Sequence, residues 1–184
     1  MKKLMILVVL IFSVVSTFSQ VSVFTKFSDN GTISPCATIF GTKEIATKID
    51  FTYFSLVQKG WAEVMLGASY APASWVSIGL NCGLEQLGEL SFRTGGSLWL
   101  GKDKTSFLAL VEKGNGNDNY WYRITGSYNL SKSFNIGARA WRFTGIGPLF
   151  EYKTGGMVSK IWAMPAYNTK TNGKNLIVGV DFAI

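Results

Sequence analysis

Histidine is missing from this 184-residue chain. Its absence removes Ser-His and Cys-His nucleophile pairs, the usual catalytic zinc sets and imidazole acid–base chemistry. Cysteine is scarce too: Cys36 and Cys82 are the two present, with no CxxC spacing and too few partners for a metal site. In an exported chain they could pair, but Cys82 falls on an apolar face, where a buried free thiol is the open alternative. No cofactor is implied. Long apolar runs are also lacking, since Leu4 to Val15 gives about 12 residues where a spanning helix needs ~20. Nor is there a basic stripe. The formal charge is +7, yet Lys102, Lys104, Lys132, Lys170 and Lys174 stand singly in turn-like segments, which excludes nucleic-acid binding.

What is present begins with a leader. Lys2 and Lys3, the apolar run, and the small polar exit Ser16-Thr17-Phe18-Ser19-Gln20 read as a secretory signal peptide over residues 1–20. The remainder, 21–184, is long enough for one domain, with a charge of about +5 once Lys2 and Lys3 are removed.

The most informative stretch is Asn119 to Trp141. Tyr120, Tyr122, Ile124, Gly126, Tyr128 and Leu130 alternate with Asn119, Trp121, Arg123, Thr125, Ser127 and Asn129. That period of two defines a strand with one apolar and one polar face. After Ser131-Lys132-Ser133 the chain returns with Phe134, Ile136, Ala138 and Ala140 opposite Asn135, Gly137, Arg139 and Trp141. The same unit recurs from Trp61 to the faultless C-terminal segment NLIVGVDFAI, giving nine strands in 124 residues. At that spacing Val21 to Gly60 holds about three more, although Pro35 weakens the second by removing a ladder bond. The fold expected is all-β, a single antiparallel up-and-down barrel of twelve strands, with ten as the alternative. Thr105 to Glu112 and Val158 to Tyr167 alternate too poorly to fix their register, and Gly145 to Gly147 reads as a turn.

Alternation alone does not say which face points outward. A soluble barrel buries its apolar face, whereas a membrane barrel turns it to lipid. The aromatic residues decide. All seven tyrosines share the apolar parity, several of them at strand ends, as interfacial belts require. Trp61, Trp75, Trp99, Trp121 and Trp141 share the polar parity with Glu63, Glu85, Arg93, Arg123 and Arg139. A soluble barrel would then expose its indoles and bury its phenols, an unfavourable exchange. A soluble exported ligand-binding barrel is thus the lesser alternative.

With these features the chain resembles the small outer-membrane β-barrels of Gram-negative bacteria. The resemblance rests on the leader, the alternating strands and the terminal VGVDFAI, and it departs from the family in ending on Ile184 rather than an aromatic residue. It implies an outer-membrane location, the lipid bilayer as partner, and both termini in the periplasm. Placed by that topology, Glu63, Glu85, Glu89, Arg93, Arg123 and Arg139 occupy the outer half of the lumen, with Trp61, Trp121 and Trp141 toward its rim. Lys48, Asp50, Lys160 and Asp181 occupy the periplasmic half, Asp181 near Lys48 where the barrel closes. Charges in a narrow tube must pair or stay hydrated. The function expected is a small passive channel for small solutes. The alternative is a structural barrel with a plugged lumen that binds an envelope partner. An enzyme would need carboxylate chemistry, and Glu85 and Glu89 across a hairpin are too weak a signal for one.

Overall fold

A computed structural model describes residues 19–184, and most of the leader lies outside them; Ser19 and Gln20 stand in the first strand. Twelve strands follow in chain order: β1 (Ser19–Ser28), β2 (Ile33–Ala46), β3 (Ile49–Gln58), β4 (Trp61–Ala73), β5 (Val76–Leu87), β6 (Glu89–Lys102), β7 (Thr105–Lys113), β8 (Tyr120–Asn129), β9 (Phe134–Trp141), β10 (Gly145–Lys153), β11 (Val158–Asn168) and β12 (Gly173–Ala183). Each pairs antiparallel with its sequence neighbours, and β12 returns to β1, closing the barrel. Closure leaves no unpaired edge, which a wall in hydrocarbon demands because lipid satisfies no backbone group.

Twelve rather than ten strands form because β2 is a full strand of 14 residues despite Pro35. Pro35 stands opposite Thr25, one residue beyond the last β2–β3 pair, Cys36↔Gln58. At that ragged end one flank lacks a ladder bond in any case. Pro165 likewise sits inside β11 without ending it. Gly145 to Gly147 opens β10, so the turn lies one step earlier, at Arg142-Phe143-Thr144. Phe143 takes a φ of 65° there, the left-handed region that a bulky side chain rarely enters. The connections are short, the longest among the described residues being 114–119 between β7 and β8.

The exterior is apolar. Leu80, Phe92, Ile124, Phe150, Ile161 and Val178 face outward and are exposed. Leaving such side chains in water forfeits about 1.5–3 kcal/mol apiece, so this wall is built for acyl chains. Tyr70, Tyr128 and Tyr152 ring the end that carries the termini, and Tyr120 and Tyr167 ring the other, where an amphipathic phenol meets the interface. Tyr53 shares the outward parity but is buried, because it lies flat across Gly41 and its hydroxyl meets the Ser19 hydroxyl. The orientation inferred from the aromatic residues therefore holds, with one adjustment: Trp75 sits in the β4–β5 turn, exposed at the rim. Cys36 faces the lumen and Cys82 the exterior, both as free thiols. On opposite faces of the wall they do not pair.

Candidate functional site

Side chains of the polar parity converge on the barrel axis and divide the lumen into unlike halves. Along β4 to β8 the deciding group is Arg93, 1% exposed. Its Nη1 donates to Glu85 Oε2 at 2.6 Å and to Asn119 Oδ1 at 3.0 Å, while its Nε reaches Glu112 Oε2 at 3.0 Å and Glu63 Oε2 at 3.2 Å. Asn119 also donates to Glu85 Oε1, and Ser91 does so at 3.2 Å. Trp61 covers the guanidinium, whose carbon lies 5.3 Å from the ring centroid. Three carboxylates around one cation in a dry interior are held by the fork geometry of arginine, which lysine could not reproduce.

Toward the termini from this layer, β4 to β8 turn small polar residues inward: Gly67, Ser69, Ser77, Asn81, Gly95, Ser97, Ser106, Thr125 and Ser127. All of them are partly exposed. With side chains this short the packing thins here into a hollow, although Leu108, paired with Trp99, also faces in. Trp99 lies at the mouth of this hollow, over Gly101.

The other half is packed. Phe24, Trp121, Trp141, Leu149, Trp162, Met164, Ala166 and Ile177 form one buried cluster with Cys36 and Leu56. Phe24 meets Trp141 edge-on at 5.2 Å and Trp162 at 5.7 Å, and Trp121 meets Trp141 at 6.3 Å. Two arginines separate the indoles. The Arg123 guanidinium lies 6.0 Å from Trp121 and 5.9 Å from Trp141, and that of Arg139 lies 5.9 Å from Trp141 and 5.0 Å from Trp162. Such stacking holds desolvated guanidinium groups by roughly 2 kcal/mol each. Below the cluster, toward the termini, Lys160 bridges Glu151 at 2.8 Å and Asp181 at 3.1 Å. Asp181 further accepts from Trp162 Nε1 at 3.0 Å, from Gln20 at 2.7 Å and from Ser22.

At the end away from the termini the lumen opens into a cavity of about 230 Å³, lined by Phe24, Leu56, Trp61, Trp121, Trp141 and Phe143 with Lys26, Lys59 and Arg142 at its edge. Arg142 is fixed by Asp118 Oδ1 at 2.8 Å and stacks on Tyr120.

Most residues expected to line the lumen do so. Glu63, Glu85 and Arg93 form one cluster, Arg123, Arg139, Trp121 and Trp141 a second, and Lys160 with Asp181 a third. Glu89 does not join them: it begins β6 beside the β5–β6 turn and is exposed. Lys48 is likewise a turn residue, its amine donating to the Pro72 carbonyl at 3.0 Å, far from the closure where Asp181 takes Lys160 instead. Two complete strands, β1 and β2, intervene between β12 and Lys48, which is why that expected contact fails. Asp50 is half-buried at the start of β3. Glu112, Asn119, Glu151 and Arg142 were not singled out from the sequence. Glu112 lies in the strand whose register alternation left open, and Asn119 ends a loop.

No model of a known protein family and no curated protein sequence matches this chain. The fold and the charged, indole-lined interior define a membrane-embedded antiparallel β-barrel. Among solved structures it is similar to a KdgM porin in complex with disordered oligogalacturonate, with a TM-score of 0.62 at 14% identity over 90% of this chain and 99% of the porin. It is also similar to NanC porin, with a TM-score of 0.57 at 8% identity over 89% of this chain and 100% of the porin. At that identity the likeness is one of fold: the chain has the architecture of small outer-membrane porins.

Proposed function

We propose that the chain is exported to the outer membrane through its leader (residues 1–20) and acts there as a narrow passive channel for small solutes. One observation carries this reading: the inward face of β4 to β8 is lined mainly by short, partly accessible side chains, and a cavity opens at the opposite end beside Trp61, Trp121 and Trp141. A barrel built only as a scaffold has no use for a small-residue hollow, which forfeits packing on that flank. Lumen-lining charges select by sign and size where the passage is narrowest. The residues proposed to do so are Glu63, Glu85 and Arg93 on one flank and Arg123, Arg139, Trp121 and Trp141 on the other. With Lys26, Lys59 and Arg142 at the cavity edge, anions gather there first. The acidic oligosaccharide seen with the KdgM porin makes a small anionic sugar the first solute to try. Glu89 and Lys48 tune the rims rather than the constriction.

Refolded protein in planar bilayers tests the reading. Small discrete conductance steps are expected, and Arg123→Ala combined with Trp141→Ala enlarges them by widening the constriction. Silence at every salt concentration, with the double variant equally silent, would leave the plugged, partner-binding barrel in its place.

A further inference from the structure

The chain has four prolines, and two of them meet. Along β10–β11 the register is unbroken between Ile146↔Tyr167 and Phe150↔Ala163, which puts Pro148 directly opposite Pro165 midway between those pairs. Thr154 N donates to Ser159 O at 3.2 Å on the same register. In an antiparallel ladder, hydrogen-bonded pairs recur at every second position, and Pro148 with Pro165 falls on that set. Both donors this position calls for are therefore missing. From Ile146 to Phe150, about 14 Å of wall at ~3.4 Å per residue, no N–H joins the two strands. Pro35 and Pro72 differ, the first at a ragged strand end and the second at a register shift.

The surroundings of the gap suit an apolar chain. Pro148 and Pro165 face outward and are exposed, flanked by Ile146, Phe150 and Tyr167. Directly inside the wall stand Leu149, Met164 and Ala166, members of the apolar cluster. Gly147 lines the seam inside, with the Pro165 carbonyl oxygen in the space a side chain there would take. The cluster continues through Phe24 and Trp141 into the cavity whose edge carries Lys26, Lys59 and Arg142. Parting this seam breaks no ladder bond at its centre, whereas parting any fully bonded stretch of wall exposes donors to hydrocarbon.

We propose that the β10–β11 seam is a lateral portal through which the single hydrocarbon chain of an anionic amphiphile passes between the bilayer and the apolar half of the lumen. The acidic head rests in the cavity against the three cations, and the chain threads past Leu149 and Met164. This route is separate from axial conduction and stands or falls independently of it.

The test uses the interior indoles as reporters. Full-length protein carrying Trp75→Phe and Trp99→Phe, which remove the exposed rim indoles, is refolded into phosphatidylcholine vesicles. A fatty acid brominated at mid-chain is then added; bromine quenches indoles on contact. The parent is expected to lose most of its interior emission, and the methyl ester of the same acid is expected to quench far less. Pro148→Val with Pro165→Val restores both donors and should abolish the quenching while leaving conductance unchanged. Should that pair misfold, a Phe150→Cys/Ala163→Cys disulfide across the seam does the same work, with quenching returning on reduction. An unquenched parent overturns the portal. Equal quenching in the closed-seam protein overturns it as well, because entry is then through the mouths. An ester as effective as the acid overturns the anionic head.

Discussion

The two halves of the lumen use the same wall for opposite ends. Along β9 to β12, β1 and β2, large side chains meet across the axis, and Leu149, Met164 and Ile177 are at most 1% exposed. Along β4 to β8 the inward positions are mostly glycine, serine, threonine and asparagine, and space remains. At the end of that flank away from the termini, Arg93 gathers three carboxylates. The difference shows that a twelve-stranded barrel is wide enough to hold a packed core beside a thinly filled flank. One flank supplies most of the packing, and the other leaves the lumen thinly filled.

That contrast can be broken by substitution. The largest effect is expected from Arg93→Ala, which strands Glu63, Glu85 and Glu112 in a dry layer and should cost about 3–5 kcal/mol, read by urea unfolding of the refolded barrel in detergent. A cost nearer ~0.5 kcal/mol, the value for hydrated surface pairs, would show the layer to be wet. Next comes Met164→Ala in the packed half, expected to cost about 2–5 kcal/mol for the cavity left behind; a negligible cost would mean the cluster is loose. Trp162→Phe removes one donor from Asp181 and should cost about 1–3 kcal/mol, measured the same way. Ser97→Leu in the hollow should change stability by less than about 0.5 kcal/mol while lowering conductance. If it destabilises the barrel instead, the hollow is a packed core and the comparison fails.

The strand count and the orientation of the wall were legible because alternation is local. Tyr120, Tyr122 and Tyr128 against Trp121 and Arg123 assign two faces without knowledge of any partner strand. Glu63, Glu85 and Arg93 were legible as lumen residues for the same reason. Pairings were less so. Glu112 was missed because Thr105 to Glu112 is apolar on both faces, and only the pairing Leu110↔Arg123 fixes its parity. Asp181 was expected beside Lys48, yet it meets Lys160, its directly paired neighbour on β11. Trp75 and Glu89 carried the lumen parity but fell in or beside turns, where parity lapses.

By itself the sequence determined that the wall alternates, that its greasy side faces outward, and that no imidazole takes part. Each follows from side-chain chemistry repeated every second residue. Only the closed barrel decided which lumen charges meet, which flank is filled, and that Pro148 confronts Pro165. Those depend on strand stagger and on β12 joining β1, which brings together residues as distant in sequence as Ser19 and Ile184.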